Sequence, residues 1–129
     1  MKIRKTKTGY RSKFEENQSK LLKEYGYKYE PFKMEYIIPQ SKHNYTPDFV
    51  KGNIILELKG RWTREDRKKI LYIRSQYPKF YLVMVFQNEN LPIYKGSKIT
   101  YAKYCDKLGI RYVNYKNLQE FLNAHKSIC

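Results

Sequence analysis

Asp48, Glu57 and Lys59 form the string Pro47-Asp48, eight intervening residues, then Glu57-Leu58-Lys59. Ile54, Ile55, Leu56 and Leu58 give this stretch the apolar pattern of a central strand. A carboxylate and an ammonium inside such a strand need a reason. Strand side chains alternate between faces, so Glu57 and Lys59 share one face while Leu56 and Leu58 share the other. Pairing through a turn at Lys51-Gly52 brings Asp48 close to Glu57. Desolvated like charges at that separation are unfavourable unless a cation neutralises them, and oxygen-only ligands suit Mg2+ or Mn2+ better than Zn2+. Such a cation activates water and neutralises charge on a phosphodiester, while Lys59 contacts the water or the scissile phosphate. The structural alternative is that Asp48 caps a turn after Pro47 and Glu57 pairs with Lys59 or an arginine.

Composition narrows the substrate. The 129 residues hold 27 Lys and Arg against 12 Asp and Glu, a formal charge of +15. An excess of that size implies a polyanionic partner, nucleic acid before an anionic membrane or an acidic protein. The length fits one domain, and 41% hydrophobic residues with 16% aromatics can build a core. The longest apolar run, Tyr81 to Phe86, is far too short to span a bilayer, and Met1-Lys-Ile-Arg-Lys leads into nothing like a signal peptide. The expectation is a soluble cytoplasmic protein that makes no use of a membrane. Cys105 and Cys129 form no CxxC pair and the two histidines, His43 and His125, lie apart from both, which argues against a disulfide scaffold or a structural zinc.

The elements that must carry these residues follow from pattern. Residues 1–11 hold five cations and no acid and read as a mobile basic arm, with Lys5, Lys7 and Arg11 on phosphate; residues 12–129 read as one folded domain. Ser12-x-x-Glu15 is a capping box opening a helix to about Tyr25. Phe32, Met34, Tyr36 and Ile38 alternate as a strand ended by Pro39, followed by a polar turn from Gln40 to Asn44. Strands are expected over Tyr45 to Val50, Asn53 to Lys59, Phe80 to Phe86 and Ile110 to Val113. Helices are expected from Thr63 to about Gln76, from Thr100 to Leu108, and from Asn117 onward, with a loop from Gln87 to Ile99. Hairpin and βαβ units together predict an α/β fold with a mixed central sheet flanked by helices.

Pro47-Asp48 with Glu57-Leu58-Lys59 is similar to the PD-(D/E)XK nuclease motif. Longer strings resemble the bacteriophage endonuclease I family of Holliday-junction resolvases: His43-Asn-Tyr-Thr-Pro-Asp-Phe49, Lys59-Gly-Arg-Trp62, Asp66-Arg-Lys-Lys69 and Tyr94-Lys-Gly-Ser97, in this order. The resemblance covers roughly residues 10 to 115. It implies a PD-(D/E)XK core with Glu15, Asp48, Glu57 and Lys59 as catalytic residues. It also implies two Mg2+ per site, replaceable by Mn2+, held by Asp48, Glu57, Glu15 and the Leu58 carbonyl. A homodimer with exchanged elements follows from it too, so that Glu15 of one protomer completes the site of the other. Glu15 is equally the capping-box acid of its own helix, and Glu16 is its neighbour. The ending Lys126-Ser-Ile-Cys129 departs from the basic tail of the members it resembles.

Beside the site, Arg64, Arg67, Lys68, Lys69 and Arg74 read as a phosphate-binding helix face, and Lys95 lies in a loop, Tyr94-Lys-Gly-Ser97, that reads either as a phosphate cradle or as a tight turn. His43 reads either as a phosphate contact or as a turn histidine bonding backbone, and Trp62 as a core anchor. The leading function is a metal-dependent endonuclease that resolves four-way junctions, leaving 5′-phosphate and 3′-hydroxyl ends. Cutting or nicking of ordinary duplex, or a non-catalytic basic DNA-binding module, are the competing readings.

Overall fold

Residues 9–38 and 41–126 are described by a computed structural model. Most of the expected arm, with Lys5 and Lys7, lies outside the described residues. Its last residues are packed: Tyr10 is buried against Tyr29 and Phe49, and the Arg11 amide donates to the Tyr29 hydroxyl (2.8 Å).

The first helix, α1 (Lys13–Glu24), starts where Ser12 Oγ accepts the Glu15 amide (3.0 Å). Strands β1 (Lys28–Tyr29), β4 (Phe49–Lys51), β5 (Ile54–Lys59), β6 (Tyr81–Phe86) and β7 (Arg111–Asn114) form one sheet in the order β1-β4-β5-β6-β7. The first three pair antiparallel, and β5, β6 and β7 run parallel. Helices α2 (Arg64–Gln76) and α3 (Tyr101–Leu108) lie along the parallel half, and α4 (Leu118–Ala124) follows a 3-10 turn over Tyr115–Asn117. The fold is α/β with a mixed five-stranded sheet flanked by helices.

Strand parity sorts the core into two layers. Ile55, Met84 and Phe86 pack with Trp62, Ile70 and Ile73 on one face. Ile54, Leu56, Leu58 and Phe49 pack with Leu22, Leu118 and Leu122 on the other. By the same alternation Glu57 projects to the α2 side. The register Phe49↔Leu56 sets Asp48 opposite Glu57.

Two stretches differ from the sequence expectation. Ser41–Tyr45 is a strand, β3, paired residue for residue with β2 (Met34–Ile38), from Met34↔Tyr45 to Ile38↔Ser41. The polar turn expected over Gln40 to Asn44 is therefore largely a strand; an exposed ribbon carries no apolar alternation to announce it. The expected strand from Tyr45 to Val50 is broken at Thr46–Asp48, where Pro47 has no amide to give and the Asp48 side chain takes the Leu58 N–H that a neighbouring strand would take. The hairpin docks on its own α2: Ile37 exchanges two hydrogen bonds with the Gln76 carboxamide, and the Tyr77 hydroxyl donates to the Glu35 carbonyl (2.5 Å).

Candidate active site

Asp48 sits immediately before β4 with its Oδ2 accepting the Leu58 amide (2.9 Å). Its carboxylate is buried, as are those of Glu15 and Glu57. Burial raises Asp48 well above the ordinary carboxylate range; the Glu15 carboxylate adds to this and Lys59 opposes it. Burial likewise pushes Glu57 up to about 8, against the pull of Lys59. Burial alone would lower the Lys59 ammonium, but Glu57, Asp48, Asp66 and Glu15 outweigh it and hold Lys59 above its usual value. These groups thus form one electrostatic unit in which burial disfavours the ionised forms of Asp48 and Glu57.

The capping-box alternative for Glu15 is only half realised. Its amide is capped, but its carboxylate accepts the Tyr29 hydroxyl (3.1 Å) and turns toward Asp48. One oxygen each of Glu15, Glu30 and Asp48 lies within 4.8 Å of the others. Glu30 was not singled out by the sequence. It follows β1, its amide donates to the Asp48 carbonyl (2.8 Å), and its φ of 43° places a non-glycine residue in the left-handed region. Such a conformation costs about 1–3 kcal/mol and persists only where the surroundings impose it. Its Oε2 is buried, has no hydrogen-bond partner among the described residues, and lies 3.9 Å from Arg11 Nε. A buried carboxylate oxygen met only by a long ion pair, beside two more buried carboxylates, fits a hard divalent cation. Glu57 stands apart from this trio, its Oε1 accepting the buried Tyr45 hydroxyl.

Two clefts meet at the cluster. The larger, about 560 Å³, runs from the α1 N-terminus past Asp48 and Lys59 to Gly60, Gln87 and Tyr115. The second, about 470 Å³, holds Tyr45, Glu57, Asp66 and Lys69. Arg11, Asp48, Lys59 and Arg61 line both. Lys59 Nζ also lies 3.7 Å from Asp66 Oδ1, the capping acid of α2, whose Oδ2 accepts the Thr63 amide (3.0 Å).

The expected phosphate contacts divide. Arg64, Lys68 and Lys95 are exposed and Lys69 lines the second cleft. Arg67 is turned inward, with Nη1 donating to the Trp62 (2.9 Å) and Ile93 (3.0 Å) carbonyls, and Arg74 donates to the Leu108 carbonyl (2.6 Å). Arg67 thus ties two loops to α2, and Arg74 ties the end of α3 to it. His43 lies on the hairpin, 3.0 Å from Ser41 Oγ and against the Tyr36 ring, and lines neither cleft. Leu58 contributes its amide to Asp48 and lines the larger cleft. Trp62 is buried against Phe86, Tyr101 and Tyr104. Arg61 was visible only as a letter within Lys59-Gly-Arg-Trp62; its place just past the end of β5 is what sets it at both clefts.

Buried carboxylates, one lysine and a basic rim at the edge of a mixed sheet make a centre suited to hydrolysing a polyanion, the class to which nucleases belong. The chain belongs to the phage endonuclease I family, which it matches over residues 1–128. It is 44% identical over 108 residues to Endonuclease I of Escherichia phage T7, covering 81% of this chain and 72% of the relative. It is 43% identical over 108 residues to Endodeoxyribonuclease 1 of Enterobacteria phage T3, covering 81% and 71%. Its function is that of a DNA endonuclease.

Proposed function

We propose that the chain is a Mg2+-dependent nuclease of PD-(D/E)XK type that resolves four-way DNA junctions as a homodimer in the host cytoplasm. The observation that carries this reading is the register that sets Asp48 opposite Glu57, with Lys59 one turn of the pleat further on, between two clefts rimmed by Arg11 and Arg61. Asp48, Glu15 and Glu30 would hold one cation, and Glu57 with the Leu58 carbonyl would help hold a second; Mn2+ would substitute for either. When bound, the metal lowers the pKa of water and offsets charge on the phosphodiester. Lys59, kept protonated by its acidic neighbours, donates to the scissile phosphate or orients the attacking water. Arg11 and Arg61 hold the strand on either side, while Lys68, Lys69, Arg64 and Lys95 extend the phosphate track.

Resolving a junction needs two cuts on strands of like polarity, and one chain offers one Asp48/Glu57/Lys59 cluster. A two-fold dimer matches the symmetry of the substrate. Exchange of everything before the β2–β3 connection would remake the same contacts between chains, with Glu15 and Glu30 of one protomer meeting Asp48 of its partner. The deciding experiment incubates the protein with a labelled immobile junction, or with a duplex of the same sequence, with Mg2+ or with EDTA. The reading requires Mg2+-dependent cutting of the junction on opposed strands and little cutting of the duplex. Equal cutting of both substrates would leave a general nuclease, and undiminished cutting in excess EDTA would refute the metal centre.

A further inference from the structure

Gly60, Gln87 and Tyr115 are the first residues past the carboxyl ends of the three parallel strands, and all three line the larger cleft together with Glu15, Asp48 and Lys59. The crevice beyond the carboxyl ends of parallel strands is where α/β sheets bind ligands. Gln87 is fixed there by its backbone, whose amide donates to the Lys59 carbonyl (3.0 Å). Its exposed carboxamide has no hydrogen-bond partner among the described residues. Gly60 explains how that side chain is seated. Its φ is not in the left-handed region, so the backbone itself does not require glycine, yet a Cβ there would stand 2.8 Å from Gln87 Oε1. The carboxamide therefore lies over the bare α-carbon next to Lys59, on a residue whose backbone amide is bonded to the last carbonyl of β5.

We propose that Gln87 is a substrate-binding residue whose carboxamide N–H donates to a phosphate of the strand being cut, and that residue 60 is glycine to seat it. The inference rests on the cleft being the nuclease site. A neutral donor suits the position, because it grips a phosphate oxygen without adding a charge beside the acid cluster. One such bond to a charged group, used only when the strand is correctly placed, is worth roughly a tenfold change in rate.

The test is single-turnover cleavage of a four-way junction in Mg2+ by the full chain and by Gln87→Ala, Gln87→Glu, Gly60→Ala and the Gly60→Ala/Gln87→Ala double variant. Melting temperature and the salt dependence of junction binding are measured alongside. Gln87→Ala should cut about tenfold more slowly with both control measurements unchanged. Gly60→Ala should lose a similar factor by displacing the carboxamide, and should cost nothing further once Gln87 is already alanine. Gln87→Glu, nearly the same shape, should be slower than Gln87→Ala because it faces phosphate, whereas a side chain that merely fills space would leave it near the parent. Parental rates in Gln87→Ala and Gln87→Glu, or a Gly60→Ala loss that persists in full in the Gln87→Ala background, would overturn the assignment while leaving the nuclease intact. A parent that cuts no DNA would overturn both readings.

Discussion

A buried carboxylate acts according to what holds it, and each acid here is held differently. Asp48 accepts a backbone amide, Glu15 the Tyr29 hydroxyl and Glu57 the Tyr45 hydroxyl. Groups that orient ligands in this way typically matter by about 10–100-fold in metal affinity or activity. Tyr45→Phe should therefore remain folded and bind junctions, yet cut about 10–100-fold more slowly and need more Mg2+ for half-maximal rate, as a metal titration of the cleavage rate would show. An unchanged titration would mean that Tyr45 serves only the core. Lys59→Ala should lose roughly 10²–10⁴-fold in rate while still binding junctions, measured by single-turnover cleavage and by gel shift. Asp48, Glu57 and Lys59 were legible in the sequence because strand parity and one short antiparallel pairing fix their relation locally. Glu30 was not, since it reaches the cluster only through the two-residue pairing of β1 with β4, a contact between positions some twenty residues apart that no short pattern announces. Glu30→Gln should bind junctions as the parent does and cut them more slowly at limiting Mg2+; parental cutting across the whole metal range would remove Glu30 from the site.

Among the elements, α2 and the β2–β3 hairpin do more than cover the sheet. The capping box of α2 uses Asp66 twice, once for the Thr63 amide and once for Lys59, so the start of the helix is fastened to β5. Asp66→Asn keeps an oxygen for the cap and removes the charge facing Lys59. It should cost little stability, about 0.5–1 kcal/mol by chemical denaturation, while slowing cleavage by a much larger factor. A loss of stability with no loss of rate would assign Asp66 to the cap alone. The hairpin is tied to the site through both strands, for β2 begins shortly after Glu30 and β3 ends shortly before Asp48, and these two residues are joined by a backbone hydrogen bond. The helices and the apolar strands β5 and β6 could be read in advance because caps and periodicity are local signals. β3 could not, because Ser41, Lys42 and Asn44 are exposed and polar, and only pairing with β2 makes them a strand.

At the scale of the whole molecule, a charge of +15 and a set of buried acids pull on stability in ways that pH separates. Asp48 and Glu57 both titrate higher in the folded chain than their ordinary values, Glu57 at about 8. The folded state therefore binds more protons than the unfolded one across this range, and stability falls as pH rises. The contribution of these acids is complete below the ordinary carboxylate range and is lost as pH climbs through the folded value of Glu57. Lys59, also raised, keeps its proton throughout that window. A divalent cation does for the ionised acids what protons do at low pH, so it should stabilise the protein more at high pH than at low. Melting temperatures followed from about pH 5 to 9 in EDTA should decline through the neutral region, and added Mg2+ should flatten that decline. Glu57→Gln, with one titrating acid fewer, should show a shallower decline in EDTA. A melting temperature that rises with pH in EDTA, or a Mg2+ effect as large at pH 5 as at pH 9, would show that the acids are not held as a proton-or-metal cluster.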